Sequence, residues 1–557
     1  MVRRALWILG VSTAAIQAWA FRHEVSPDAV AYLDIARRFS HGHWAALVNA
    51  YWSPLYPLLL GTALGAAKPS LYWESTLAHA LNLIIFAFSF VCFEFLLREL
   101  LKSTPAVQVF ESSEWRPDWA IWAIGDTLFI YLTLLLIGVQ RLSPDLLLAA
   151  FFYLAAGLIV RIHRDGGSWI VHAMFGAVLG IGYLAKAILF PLAWVFLACC
   201  LVLKPRSRSL TRTVIAMFVF CLLAGPYVWA LSHAKGRFTF GDTGKIAYAE
   251  FVDGIQRYTH WQGSPGFAGT PVHPTHLVLA APPVFQFSGP IKGTYPPWDD
   301  PSYWYDGVAP KFVFGDQLRA IRYTIEEYAA ILRYMGALLV AFFALFFFAG
   351  EPRSITKNAL ACWSILLPAA AGLILYGALY VESRFVVPFF IVIWAVLFTA
   401  VRSARTTGWR TFMRSWTLAL LFTLASGIIW LGGRAAFRAL QPQPFTPWQV
   451  AEGLKSEGIH PNDRVASIGN GLDYYWAHLA GVRIVAEIPL GGSSQFWAGS
   501  EALRSRALQA FAAAGATALV SGEQPPVDLY GWHEVGGTGY YIFDLRGLHT
   551  KGTSESR

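Results

Sequence analysis

The residues best suited to chemistry stand beside long apolar runs. The stretch "SPDAVAYLDIA" (26–36) follows the first apolar segment and carries two carboxylates, Asp28 and Asp34. Ser26, Pro27 and Asp28 also suit a helix start. Ser caps, Pro fits the first helical position, and an acid in the first turn opposes the helix dipole. The triplet recurs as Ser143-Pro144-Asp145, where capping accounts equally well for Asp145. What sets Asp28 apart is its place just after the first apolar run, with Tyr32 one helical turn on. Asp34 does not share a helix face with Asp28, and Arg37 and Arg38 at i+3 and i+4 suit surface pairing with it.

Two cations have a comparable setting. Lys186 interrupts the apolar stretch "YLAKAILF" (183–190), and Arg384 sits beside Glu382 in the short connection "YVESRFVVP" (380–388). Lysine there can snorkel to the interface or bind a phosphate. Arginine can meet a phosphate bidentately or pair with Glu382 or Asp28. Aromatics crowd "TYPPWDDPSYWYDG" (294–307), so Trp298, Trp304 and Tyr305 could stack on sugar faces or simply pack their loop. Two acids fall inside apolar runs: Glu94, with Arg98 at i+4, and Asp126, with no partner nearby in sequence. The combination of a carboxylate base, phosphate-binding cations and aromatic platforms points to sugar chemistry at a membrane surface.

The elements that position these groups follow from composition. Of 557 residues, 56% are hydrophobic and only 14% charged, against about 25% charged in a soluble domain, and the mean hydropathy is +0.46. A spanning helix needs roughly 20 apolar residues. About eleven candidate spans are expected, near 5–21, 77–97, 119–138, 144–160, 169–185, 187–203, 213–232, 330–349, 359–380, 385–401 and 415–432. The flank after the first span lacks a small-residue cleavage site, which favours a retained helix over a signal peptide. Lys and Arg concentrate on alternate connections: Arg3/Arg4, Arg98/Lys102, Arg161/Arg164, Lys204–Arg212, Arg353/Lys357 and Arg402–Arg414. These mark the cytoplasmic side. The N-terminus is then inside, and residues 22–76, 233–329 and 433–557 lie outside. The net charge of +9 is this bias plus affinity for anionic headgroups, and no basic block is dense enough to suggest nucleic acid.

All five cysteines fall in expected spans, so no disulfide framework supports the outer regions. No sequence pattern signals a metal site or another cofactor. Repeated Pro in 233–329 argues against regular helix or central strand. In 433–557 the pattern changes: "WQVAEGLKSEG" and "EALRSRALQAFAAAG" read as helices, and "RVASIG", "VRIVAEI", "ATALVSG" and "GYYIFDL" as strands of a small parallel-sheet layer. "GNGLD" (469–473) lacks the third glycine of a nucleotide loop. The fold class expected is a polytopic α-helical membrane protein, residues 1–432, with an extracytoplasmic α/β domain, residues 433–557.

The pattern D-x-x-x-Y-x-[DE]-I-A-R at 28–37 resembles the first outer loop of GT-C superfamily glycosyltransferases. The resemblance is to the bacterial relatives of dolichyl-phosphate-mannose protein mannosyltransferase and of lipid A aminoarabinose transferase. "WSPLYPLLLG" (52–61), "RLSPDLLL" (141–148), "YLAK" (183–186) and "ESRFVVP" (382–388) are similar to later landmarks, in the same order. The resemblance implies a bacterial inner-membrane enzyme that takes a sugar from a polyprenyl-phosphate donor to an extracytoplasmic glycan, lipid or protein. It implies Asp28 as the catalytic carboxylate, Asp34 as an assisting acid, and Lys186 and Arg384 on the donor phosphate. Tyr32, Asp145 and Glu382 would support them. The family often has a second acid after the first, where this chain has Ala29; this weakens any case for a metal held by adjacent acids. The rival reading is a polyprenyl-linked lipid or glycan transporter or flippase, which predicts charges along an intramembrane path.

Overall fold

A computed structural model describes residues 2–103, 118–203, 206–255, 268–287, 291–348, 352–401, 407–442, 444–526 and 529–548, with 261, 263 and 289 standing singly. Lys204, Arg402 and Arg405, among the loop cations named above, lie outside the described residues.

The first part of the chain runs through α1 (Val2–Ala20), α2 (Pro27–Ser40), α3 (Leu55–Ala67), α4 (Leu71–Ser103), α5 (Asp118–Leu132) and α6 (Asp145–Asp165). It continues with α7 (Trp169–Ala185), α8 (Leu189–Val202) and α9 (Arg206–Lys235). The connection that follows holds α10 (Thr243–Phe251) and the single turns α11 (Pro296–Asp299) and α12 (Pro301–Trp304). Then come α13 (Phe314–Tyr334), α14 (Gly336–Phe348), α15 (Pro352–Ala361), α16 (Trp363–Gly377), α17 (Ser383–Ala400) and α18 (Thr407–Leu440). The last part carries α19 (Thr446–Ser456), α20 (Tyr475–Ala480), α21 (Leu490–Trp497) and α22 (Glu501–Ala513).

All eleven expected spans fall on helices, but fewer meet the requirements of a single straight span. Six described helices are long and apolar enough, in α4, α5 with its π-turn, α6, α9, α17 and α18. Two more qualify only as bent pairs: α13 with α14, bent by 76°, and α15 with α16, bent by 82°. The apolar helices α7 and α8 have 17 and 14 residues, short of the roughly 20 that cross a bilayer upright. Hydropathy reports how apolar a segment is and not whether its backbone is continuous, so the bends were hidden.

The two Ser-Pro-Asp triplets both open helices, by different means. Ser26 Oγ accepts the Ala29 N–H at 3.3 Å, Pro27 is the first helical residue, and Asp28 lies in the first turn of α2. Ser143 makes no such cap; its hydroxyl donates to Asp145 Oδ2 at 2.8 Å. Helix α2 lies tightly on α3. A Cβ on Gly61 would stand 2.6 Å from the Ala36 carbonyl oxygen, so only glycine permits this approach.

Seven strands form one sheet: β1 (His276–Ala280), β2 (Pro283–Gln286), β3 (Arg464–Gly469), β4 (Arg483–Pro489), β5 (Ala518–Ser521), β6 (Trp532–Glu534) and β7 (Tyr541–Asp544). Their order is β1-β2-β4-β3-β5-β7-β6. Every helix and strand expected in 433–557 is present, but the sheet is mixed. β3 is parallel to β4 and β5, and all other pairings are antiparallel. Its first two strands come from the Pro-rich region 233–329, where no regular helix or central strand was expected; β1 is an edge strand, but β2 lies inside the sheet. Pro283 opens β2 at its end, where a missing N–H costs least, and Phe285 and Gln286 pair with Glu487 and Ala486 of β4. One face of the sheet packs on the same core as the helices, through Val465, Ile484, Val520 and Ile542. The other is closed by α21 and α22 through Phe496, Phe511 and Leu519.

Candidate active site

Four segments far apart in sequence bring charged ends together where the helices meet the sheet region. They are the first turn of α2 (Asp28), the start of α6 (Asp145), the α7–α8 junction (Lys186) and the start of α17 (Glu382, Arg384). Arg384 is the hub. Its Nη2 donates to Asp28 Oδ2 at 3.1 Å and its Nε to Glu382 Oε2 at 2.6 Å, while Nη1 lies 3.7 Å from Asp145 Oδ2. Lys186 donates to Asp145 Oδ1, and its ammonium sits 3.8 Å from the Phe385 ring centroid. Glu382 also accepts from the Tyr380 hydroxyl at 2.9 Å. Asp145 is the interior member, 1% exposed, whereas Asp28 keeps 24% of its side chain open.

Aromatic rings form the wall beside Asp28. The Trp298 indole donates to Asp28 Oδ1 at 3.3 Å, and the Trp52 indole holds the Trp298 carbonyl at 3.0 Å. Tyr32 is buried edge-on against Trp52 and Tyr56; it braces this wall. The Trp304 indole closes its own turn by donating to the Pro296 carbonyl at 2.8 Å. Trp298, Trp304 and Tyr305 together line a cavity of about 220 Å³.

Asp34 lies elsewhere, in a second buried cluster. Its carboxylate accepts from the Thr294 N–H at 2.7 Å and from the Thr294 hydroxyl at 3.0 Å. His478 Nδ1 of α20 stands 2.7 Å from Asp34 Oδ1, and its Nε2 stands 2.8 Å from Glu74 Oε2. The expected pairing of Asp34 with Arg37 or Arg38 is replaced by longer reaches. Arg37 grips Glu74 at 2.6 Å and Arg38 grips Asp299 at 2.6 Å. Buried acids on neighbouring segments draw both cations away from their own helix. Burial alone would raise the Asp34 carboxyl, but the His478 charge and hydrogen bond, then Thr294 and Arg37, outweigh it and hold the pKa below its usual value. For His478, burial and Arg37 oppose protonation, yet Glu74 and Asp34 prevail and raise the pKa. Burial pushes the Asp299 carboxyl up to about 7 against the pull of Arg38.

Glu74, Thr294, Asp299 and His478 were not singled out in the sequence. His478 is a lone histidine in a short apolar helix, and only its neighbours from distant segments give it a role. Glu94 pairs with Arg3 at 2.8 Å and with the Trp7 indole, not with Arg98. Asp126 is fully buried, with no hydrogen-bond partner for either oxygen among the described residues. Among those residues no group of three or more His, Cys, Asp or Glu is arranged to hold a metal ion.

A bundle of long apolar helices carries a mixed sheet at one end, with acids and cations gathered between. No family profile and no curated protein matches the sequence. Solved structures do match in fold. ArnT from Cupriavidus metallidurans in the apo state aligns over 97% of this chain and 98% of its own, with a TM-score of 0.53 and 10% identity. ArnT from the same organism bound to undecaprenyl phosphate aligns over 97% of both chains with the same score and identity. The Archaeoglobus fulgidus oligosaccharyltransferase, in complex with Zn and sulfate, aligns over 94% of this chain and 68% of its own, with a TM-score of 0.50 and 14% identity. At these identities the likeness is one of fold.

Proposed function

We propose that this chain is an integral membrane glycosyltransferase that moves a sugar from a polyprenyl-phosphate donor to an acceptor hydroxyl. The observation that carries the reading is the meeting of Asp28 with Arg384, and of Lys186 with Asp145, beside an aromatic-lined cavity. An ArnT structure of the same fold is bound to undecaprenyl phosphate, which supports a donor of that chemistry. The helices contribute the donor site, 1–432, and the α/β region, 433–557, lies with it on the side away from the cytoplasm, in a bacterial inner membrane.

Of the two acids on α2, Asp28 is the base. Its side chain is 24% exposed against 8% for Asp34, whose lone pairs are taken by His478 and Thr294. The acceptor oxygen forms a bond to the anomeric carbon from the face opposite the phosphate. The bond from that carbon to the phosphate oxygen breaks, its electron pair leaves on the lipid phosphate, and the hydroxyl proton passes to Asp28. The configuration inverts. Lys186 and Arg384 stabilise the charge that develops on the leaving oxygen. Arg384 pairs with Asp28 and orients its carboxylate. Asp145 and Glu382 hold the two cations in place.

Affinity for undecaprenyl phosphate, measured on purified protein, tests the donor end. Lys186→Ala and Arg384→Ala should each lose a charge-assisted contact worth roughly 1.5–3 kcal/mol, about ten- to hundredfold in affinity. Unchanged affinity in folded variants would remove both residues from the site.

A further inference from the structure

The sheet has a second feature that the donor chemistry does not use. β3 is flanked by β4 on one side and β5 on the other, all parallel, so the chain reverses its winding direction at β3. In open α/β sheets, ligands bind outside the carboxyl ends of the strands at such a switch point. Here a crevice of about 140 Å³ lies there, at the ends of β3, β4 and β5. It shares Gly469, Asn470, Gly471 and Leu490 with the larger cavity of about 220 Å³ that Trp298 lines. The two cavities therefore adjoin, as one trough along the sheet's edge, and the larger reaches Trp298, whose indole touches Asp28.

Its lining has a definite chemistry. Asp473 accepts from the Tyr540 hydroxyl at 2.6 Å, and Glu523 accepts from the Trp497 indole at 2.7 Å, so both carboxylates are oriented with acceptor capacity left over. Trp476 and Tyr540 add ring surface. Among the described lining residues of both cavities none is Lys or Arg. Aromatic faces with oriented carboxylates suit the C–H faces and hydroxyls of a sugar. The uncompensated acids repel phosphate and welcome an amine.

We infer that this trough holds the acceptor, as a neutral or amino-bearing glycan whose attacking hydroxyl is presented past Trp298 to Asp28. The inference rests on the transferase reading and adds to it the acceptor's place and charge class. The sheet region then selects the acceptor, while the helices hold the donor.

Gly491 allows a clean test. It lines the larger cavity, a Cβ there would meet nothing within 4 Å, and its backbone is not left-handed, so Gly491→Trp places a large ring at the cavity's edge from a Cβ that displaces no packed atom. The gene is deleted, then restored as wild type, Gly491→Trp or the pair Asp473→Asn with Glu523→Gln. Envelope glycans are read by mass spectrometry, and undecaprenyl phosphate affinity and thermal unfolding are measured on the purified proteins. Gly491→Trp should cut the glycan product by more than about tenfold, and the acid pair by several-fold, with undecaprenyl phosphate affinity unchanged. Wild-type product levels in Gly491→Trp would overturn the proposal. So would a product in which the sugar is attached to a phosphate or to a phosphorylated sugar. If restoring the wild-type gene returns no glycan that the deletion lacks, the transferase reading itself fails, and the acceptor site with it.

Discussion

Asp28 and Asp34 share one helix and end in opposite surroundings. Asp28 is open, touched by one guanidinium and one indole; Asp34 is sealed by His478 and Thr294. Substitution by Asn separates their roles, because Asn keeps the shape but takes no proton at neutral pH. Asp28→Asn should lower sugar transfer by about 10²–10⁴ while undecaprenyl phosphate still binds. Asp34→Asn should act on stability, with turnover per folded molecule nearly intact. Transfer assays on purified variants with matched thermal stability decide this, and a fully active Asp28→Asn enzyme would leave the mechanism without a base. The residues that could be picked out in the sequence, Asp28, Asp145, Lys186 and Arg384, each stand in a short local pattern at an apolar boundary. Glu74 and His478 do not, because their meaning arises from contact between segments 404 positions apart.

At the scale of elements, the Asp34–His478–Glu74 cluster fastens α2 and the start of α4 to α20 of the sheet region. Breaking a buried charge pair costs about 3–5 kcal/mol, so His478→Ala should lower the thermal midpoint of the purified protein markedly at pH 6. The shifts also fix a pH window. His478 is raised on folding, so its contribution is complete below its ordinary value, about 6.5, and drains away as pH climbs through the higher folded value. Asp34 is lowered, so its contribution is present above its ordinary value, about 4, and is lost as pH falls through the lower folded value. The fastening is strongest between those limits, and the midpoint should decline from pH 6.5 toward pH 9. A flat profile over that range would show that His478 carries no charge there. The helices and strands of 433–557 were legible because their periodicities are local. β1 and β2 were not, because Pro and Gly signal turns, and pairing with β4 is invisible along the chain.

For the whole molecule, the loop cations predict that the sheet side faces away from the cytoplasm. Single cysteines in a cysteine-free background report this. Val272 and Tyr530 are suitable positions, 58% and 97% exposed, whereas Ser521 in β5 is buried and would stay silent. Val272→Cys and Tyr530→Cys should react with a membrane-impermeant thiol reagent in cells whose inner membrane is intact. Labelling only after that membrane is lysed would reverse the orientation, and the placing of the chemistry with it.

The sheet's composite origin also bears on how the protein is made. β1 and β2 leave the ribosome before α13 to α18, and β4, the partner that β2 needs, follows all six helices. A two-stranded ribbon is marginal by itself, and until β4 arrives its edge is unpaired. The nascent loop therefore waits, unfinished and adhesive, while the later helices are threaded into the bilayer. The order of synthesis sets a sequence of events: the sheet can close only after α13 to α18 have been made, and chains stalled after α18 should be cut by proteases within residues 233–329.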